Sequence, residues 1–473
     1  MSYEKRANYE RRWLFPPSLE DLLGPEHPAR FIRELVDALD LAGLGFQRRE
    51  SEEGRPNYAS DLLLKVWLYG YFDKVRATRA LEKACMKDIG LLWLTGMEKP
   101  DHNTLWRFWR DNKGAIRKVF KQGLQIAAKG NVIGLVLHAV DGTKIETAAS
   151  KTQAYHRKDV EKILAELDGV IDEVMQQTES QGEGEVEYRL PEHLHDRQQL
   201  RDLIQERLRE MEQQDRDQVM PSDADSRMMK LSDGRKRFGY NAQAVVDGQS
   251  GLIVAQEVVQ DESDNYQLTP MLEQVQDNLG QVAQETVADG GYQAPSELAR
   301  AEDLQQAVLV HLGKPSDGDG TYSAARFEYR ESEDHCVCPR GEILPFWKTK
   351  SKDRLHPTTV RVYQCQSYLE CPVRWMCSKS KSGRTIEIGA HHQAVVRQRL
   401  KQQDPAMALL LKKRGEIVER VFGWIKQGFG FRRWTVRGLD NVRTQWALIC
   451  TAVNLRVIYK HWLNRTVVMK AQT

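Results

Sequence analysis

Two apolar runs in this chain stop at the same dipeptide. Residues 131–142, NVIGLVLHAVDG, and residues 284–292, QETVADGGY, have the β-branched, apolar character of buried strands, and they run into Asp-Gly at Asp141 and Asp289. If the two strands are neighbours in one sheet, both carboxylates leave the same edge, a favoured place for ligands. Converging carboxylates repel one another unless a cation sits between them. Hard oxygen ligands with open positions suit Mg²⁺ or Mn²⁺. A pair of such ions about 3.5–4 Å apart can activate an attacking oxygen and stabilise the leaving oxygen of a phosphodiester. Taken singly, either Asp-Gly is an ordinary turn; the pairing, together with a third carboxylate, gives it weight.

Around these runs the texture alternates. Residues from about Pro16 to Lys129 repeat apolar side chains at three- and four-residue steps and read as helices, with Asp101 or Asn103 as the N-cap of the last stretch. From about His156 to Asp217 the chain is charged and Gln-rich with helical periodicity, interrupted by the Gly/Glu-rich link TESQGEGEVE, which predicts a helical hairpin inserted between strands. FGYNAQAVVDGQSGLIVAQEVVQD predicts a β-hairpin turning at DGQSG; NYQLTPMLEQVQDNLG predicts a helix, and QQAVLVHLG a fifth strand. Asp317 to Gly389 reads as irregular and holds five of the seven cysteines, whereas His391 to Trp462 returns to helical periodicity. The expected fold class is α/β: a mixed five-stranded sheet flanked by helices, with an all-α N-terminal domain (1–130), a core domain (131–462) interrupted by a charged helical insertion (155–220) and a Cys-rich insertion (317–389), and a tail (463–473).

The third carboxylate lies in RGEIVERVFGWIKQGFGFRRWTVRGL. On a helix Val418, Val421 and Ile425 form an apolar face, while Glu419 and Lys426, seven positions apart, project on nearly the same side, with Glu416 one turn earlier as a competitor. Between Arg397 and Arg443 there are twelve Lys/Arg against four Asp/Glu, a basic surface suited to phosphate although the whole chain carries only +2. No apolar stretch reaches the roughly 20 residues of a membrane span, and MSYEKRANYERRW lacks a signal-peptide core, so a cytoplasmic protein with no membrane partner is expected. An odd number of clustered cysteines argues against a secreted disulfide scaffold.

Together these segments resemble the bacterial insertion-sequence transposases with an RNase H-like DDE domain, in the branch with a helical N-terminal domain and a cysteine-containing insertion. GRPNYASDLLLKVWLYGYFDKVRATRALEKACMKDIGLLWLTGMEKPDHNTLWRFW is similar to the N-terminal transposase domain; AVDGTKIETAAS and VADGGY resemble the two Asp motifs; DSRMMKLSDGRKRFGYNAQAVVDGQSGLIV resembles the segment leading into the middle strands; IVERVFGWIKQGFGFRRWTVRGLDNVRTQWALICTAVNL resembles the Glu helix and its tail. The resemblance implies an RNase H-like sheet and a catalytic triad of Asp141, Asp289 and Glu419 holding two Mg²⁺ (or Mn²⁺) ions; VERVFG favours Glu419 over Glu416. It implies that Lys426 and Arg437 contact DNA near the scissile strand. Many relatives carry an Arg four residues before the Glu; here that position is Gly415, and no contact is expected of the neighbouring Arg414. The implied activity is cleavage and strand transfer at the terminal inverted repeats of a mobile element, by in-line displacement. The partners would be double-stranded repeat and target DNA, with a homodimer in the synaptic complex and a bacterial, nucleoid-associated location. The competing expectations are a metal-dependent endonuclease that cuts without joining and a silent DNA-binding repressor derived from a transposase.

Interleaved in GFGFRRWTVRG, Arg432, Arg433 and Arg437 could bind phosphate while Phe429, Phe431 and Trp434 stack on unpaired bases or pack the core. DHNTLWRFWRDNKG could be the recognition helix of a helix-turn-helix, presenting His102, Asn103 and Arg107 to DNA, with Trp106 and Trp109 in the core. The cysteines CVCPRG and CQSYLECPVRWMC suggest a structural Zn²⁺ site. Its best ligand set is Cys338, Cys365, Cys371 and Cys377, with Cys336 or His335 in reserve and Tyr368 where relatives would have a further Cys. The alternative is a set of reduced, partly buried thiols. Cys85 and Cys450 fall in apolar helical patterns and belong to the core.

Overall fold

The computed structural model describes residues 18–46, 57–149, 154–179, 192–213, 216–313, 321–352 and 357–464. The link after Glu179 (180–191) and most of the tail (465–473) lie outside these residues.

From Leu19 to Lys129 every described element is helical. The main helices are α1 (Pro28–Asp37), α2 (Ser60–Phe72), α3 (Thr78–Cys85), α4 (His102–Asp111) and α5 (Lys113–Lys129). Asp101 caps α4: its Oδ1 accepts the Thr104 amide at 2.7 Å, which decides between Asp101 and Asn103. Helix α2 buries residues on all sides, as a helix apolar around its circumference must. Its one cation, Lys65, is neutralised by Asp37 and Asp61 at 2.7 and 3.0 Å.

The central sheet has six strands rather than five. They are β1 (Leu137–Glu146), β2 (Arg227–Lys230), β3 (Lys236–Asp247), β4 (Ile253–Val259), β5 (Glu285–Ala288) and β6 (Val308–Val310). Strand β3 pairs antiparallel with β1 on one side and with both β2 and β4 on the other; β1 pairs parallel with β5, and β5 with β6. The extra strand, β2, is short and carries a charge at each end, so it has no apolar signature. Strand β1 does not end at Asp-Gly. It continues through Asp141 and Gly142 to Glu146, its ladder with β3 unbroken. What stops at Asp141 is the parallel neighbour: β5 ends at Ala288, opposite Val140.

Helices cover the sheet: α8 (Leu268–Leu279), α9 (Pro295–Asp303), α10 (His392–Lys401), α11 (Pro405–Gly423) and α12 (Leu439–Leu463). Asn454 of α12 bonds both the amide and the carbonyl of Ile253 at 2.8 Å, satisfying backbone groups of β4. Beyond β1, the charged insertion forms α6 (Arg157–Glu179) and α7 (Glu192–Gln213), closed at their base by a two-residue ladder of Tyr155–His156 with Gln218–Val219. Val160, Leu208, Met211 and Val219 give this pair its own small core.

The Cys-rich segment is not irregular. It folds into two three-stranded antiparallel sheets, β7 (Glu328–Arg330), β8 (His335–Val337) and β9 (Ile343–Leu344), then β10 (Phe346–Lys352), β11 (Thr358–Gln364) and β12 (Thr385–Gly389). Strand β10 is exposed on both faces, so no alternation marks it in the sequence. The C-terminal region is not one helix either. A π-helical turn at Trp424–Gly428 ends α11, and an extended stretch follows before α12, with Gly430 and Gly438 at φ +67° and +81°. Those two left-handed positions explain why the helical pattern breaks there.

Candidate active site

Asp141, within β1, and Asp289, the residue just after β5, each follow the paired Val140 and Ala288 by one position. Asp289 turns the chain: its Oδ1 accepts the Gly291 amide at 2.8 Å. Asp141 Oδ1 accepts the Gly142 amide at 2.8 Å, and Arg414 Nη1 lies 3.1 Å from its Oδ2. Burial raises the Asp141 pKa, Arg414 opposes it, and the neighbouring Asp289 raises it further, to about 6. The site therefore holds a half-buried carboxylate whose charge is costly.

Helix α11 sets Arg414 by burying Ile417, Val418, Val421 and Phe422 against the sheet. Arg414, of which the relatives' contact is not expected, pairs here with Asp141. It stands one position from the pattern of the relatives, yet its long side chain reaches the carboxylate. Glu419 and Glu416, on the same helix, are both exposed. Glu419 turns back toward Gly415, where an added Cβ would lie 3.6 Å from its Oε1. Lys426, in the π-helical turn, is held below the usual lysine range by burial, with Asp141 close enough to oppose that shift. The fold thus brings together Asp141, Asp289, Arg414 and Lys426. Among the described residues, no group of three or more His, Cys, Asp or Glu is arranged to hold a metal ion.

The aromatic–basic stretch divides. Phe429, Phe431 and Trp434 are all buried, so none stacks on bases in this conformation. Arg76 lies over both phenylalanine rings, at 4.9 and 5.5 Å from their centroids, tying the N-terminal helices to this segment. Arg433 is engaged by backbone carbonyls, donating to Thr147 at 2.7 Å and Ala149 at 2.6 Å, which makes it a structural brace of the chain after β1. Arg432 and Arg437 are exposed.

In α4, Asn103 and Arg107 are exposed, while His102 pairs with Glu82 at 2.9 Å and so has a partner within the protein. Trp109 is buried, but Trp106 is 39% exposed and stacks on it, a correction to its expected place in the core: position 106 falls on the outer face of α4.

Cys338, Cys365, Cys371 and Cys377 line one cavity of about 360 Å³. The Arg340 amide donates to Cys338 Sγ at 3.3 Å, and the Ser367 amide to Cys365. Burial raises the Cys377 thiol, and the other three cysteines lie near enough to add to it. Cys336 is sealed in the core of this segment with Leu344 and Tyr363, and neither it nor His335 lines the cavity. Cys85 and Cys450 are fully buried.

Sequence reasoning missed Asp264, which lies before α8. Its Oδ1 accepts from Asn241 Nδ2 and Gln243 Nε2, each at 2.6 Å. Tyr292 is pushed well above its usual range by burial, then by the charges of Asp264, Asp141 and Asp289. In QDESDNYQL three acidic residues stand close together, and nothing in the pattern singles out the third.

Comparison with known families gives two matches. Residues 337–459 match the family described as Transposase DDE domain, and residues 17–111 match Transposase domain (DUF772). The first range includes Glu419 and Lys426; Asp141 and Asp289 lie outside both. The resemblance to insertion-sequence transposases with a DDE catalytic domain holds at both ends of the chain. The two transposase-domain matches support a DNA transposase. No curated protein matches the chain. Among solved structures, the cryo-EM structure of a piggyBac transposase synaptic complex with hairpin DNA is similar at 9% identity and a TM-score of 0.33, covering 94% of this chain and 75% of that one. That TM-score does not establish a common fold. No described helix is long and apolar enough to cross a membrane.

Proposed function

We propose that the chain is an RNase H-like DDE transposase that binds the terminal inverted repeats of its element, cuts the DNA ends and joins them to a target. The observation that carries this reading is the juxtaposition of Asp141 and Asp289 at the open edge between β1 and β5. The strand order of the central sheet, an antiparallel β4-β3-β1 half continued by parallel β5 and β6, supports the RNase H-like assignment.

The residues present fit a divalent cation. Two carboxylates share one edge, one of them raised in pKa by burial and then by its neighbour, and Gly142 and Gly291 stand where a Cβ would collide with the surrounding polar atoms. Asp141 and Asp289 would hold the ion, with Glu419 closing from α11 when DNA is bound. The ion would supply Lewis-acid activation of the attacking oxygen and of the leaving oxygen. Arg414 keeps Asp141 paired until then, and Lys426 and Arg437 would hold the phosphates of the cut strand. Asn103 and Arg107 would contact the repeat from α4. Two DNA ends call for two copies of the chain in the synaptic complex. In the Cys-rich segment, the four thiols lining one cavity support a structural Zn²⁺ site.

The test is incubation of the purified protein with Mg²⁺ and a labelled duplex carrying the repeat that flanks the gene. Cutting followed by joining is the expected result. Cutting without joining would replace the reading by a nuclease, and binding without cutting by a repressor.

A further inference from the structure

Gly142 lies in the middle of β1, where no turn requires a glycine. A Cβ there would meet Gln243 Nε2 first, then Asp264 Oδ1 at 2.6 Å and Asn241 Oδ1 at 3.1 Å. A Cβ on Gly291 would lie 2.9 Å from Asp289 Oδ1 and 3.3 Å from Asp264 Oδ2. The two glycines thus clear a space onto which oxygens of Asp264, Asn241 and Asp289 open, next to Asp141 in the chain.

The side chains around that space are fixed. Asn241 and Gln243 of β3 both donate to Asp264 Oδ1, and the buried Tyr292 hydroxyl donates to Gln243 Oε1. Lys144 Nζ stands 4.0 Å from Asp264 Oδ2. One atom is left over: Asn241 is fully buried, and its Oδ1 has no hydrogen-bond partner. A buried acceptor without a donor is unfavourable, because it has given up its hydrogen bond to water. The Gln243 amide is committed to Asp264 and Lys144 lies toward Asp264 Oδ2, so Asn241 Oδ1 is left to accept from an incoming donor.

We propose that Asp264 and Asn241 Oδ1 accept hydrogen bonds from water molecules bound to the divalent cation held by Asp141 and Asp289. The inference rests on the reading of those two carboxylates as the cation's ligands. Mg²⁺ gives up its waters reluctantly and takes only one or two carboxylates directly. A site with two direct carboxylates and a ring of outer acceptors meets that requirement. Asp264 is then a positioning residue: it orients the hydrated ion and, through Gln243 and Tyr292, braces the turn that carries Asp289.

The experiment is calorimetric titration of the full chain with Mn²⁺, without DNA, at constant pH. Wild type is expected to bind and Asp289→Ala to lose binding. Asp264→Asn keeps the acceptor for Asn241 and Gln243 but removes the charge; it should weaken Mn²⁺ by about 10- to 100-fold, the usual effect of removing such a partner, with an unchanged melting temperature. Lys144→Met removes a competing cation from a partly exposed position and should tighten Mn²⁺ binding. If Asp289→Ala abolishes binding while Asp264→Asn and Lys144→Met both stay within twofold of wild type, the role of Asp264 is refuted and the cation site stands. If wild type does not bind, or Asp289→Ala binds normally, the reading of the site itself fails. Should Asp264→Asn not fold, Lys144→Met decides: tighter binding supports the proposal and unchanged binding overturns it.

Discussion

Replacing Asp141 with Asn should make the metal-free protein more stable at neutral and alkaline pH. The unfolded carboxyl titrates near 3.8 and the folded one at about 6, because burial and Asp289 outweigh Arg414. Each pKa unit is worth about 1.4 kcal/mol, so folding with an ionised Asp141 is disfavoured by roughly 3 kcal/mol relative to the neutral acid. The side chain is 21% exposed, so this is an upper figure. The sign follows from the raised pKa: the folded state holds the proton more tightly, so stability is greatest below about pH 4 and is lost as pH rises through 6. Asn mimics the neutral acid at every pH. Thermal unfolding in chelator should therefore show Asp141→Asn and wild type alike near pH 4, with the variant more stable at pH 8. Adding Mn²⁺ at pH 8 should close most of the gap by stabilising wild type alone, since a ligand at 100 times its Kd stabilises by about 2.7 kcal/mol only where its site is intact. Equal stability of the two proteins at pH 8 in chelator, or equal stabilisation of both by Mn²⁺, would refute the account of Asp141.

Gly142→Ala should destabilise the protein by about 1–3 kcal/mol, because its Cβ meets Asp264 within β1; chemical denaturation measures this. Arg433→Ala should lower stability through lost bonds to the carbonyls of Thr147 and Ala149 and leave the salt dependence of DNA binding intact, whereas Arg437→Ala should reduce the slope of log K against log salt by about one. Phe431→Ala, at a fully buried ring, should cost about 3–5 kcal/mol without the base-stacking defect that an exposed aromatic would give in single-strand binding. The Cys-rich segment should carry one zinc per chain by elemental analysis, and Cys371→Ser should lose it while Cys336→Ser retains it.

Strands β1, β5 and the β3–β4 hairpin are legible in the sequence because burial leaves them apolar or alternating. Strands β2 and β10 are not: one is a short edge strand with charged ends, the other is exposed on both faces. Asp141 and Asp289 stand out because each closes an apolar run, but their adjacency depends on a parallel pairing that no local pattern encodes. Arg414 escapes notice because it reaches the site from a neighbouring helical position, and Asp264 because its partners, Asn241 and Gln243, are distant in the chain. In GFGFRRW the glycines erase any period, so the burial of Phe429, Phe431 and Trp434 emerges only from packing against the N-terminal helices and β1.

The most direct measurement is cleavage and joining of repeat-carrying duplex in Mg²⁺ by Asp141→Ala, Asp289→Ala, Glu416→Ala and Glu419→Ala beside wild type, with DNA binding recorded for each. The account predicts that Glu416→Ala cuts and joins, while the other three bind DNA and do neither. Full activity of Asp141→Ala or Asp289→Ala would contradict it.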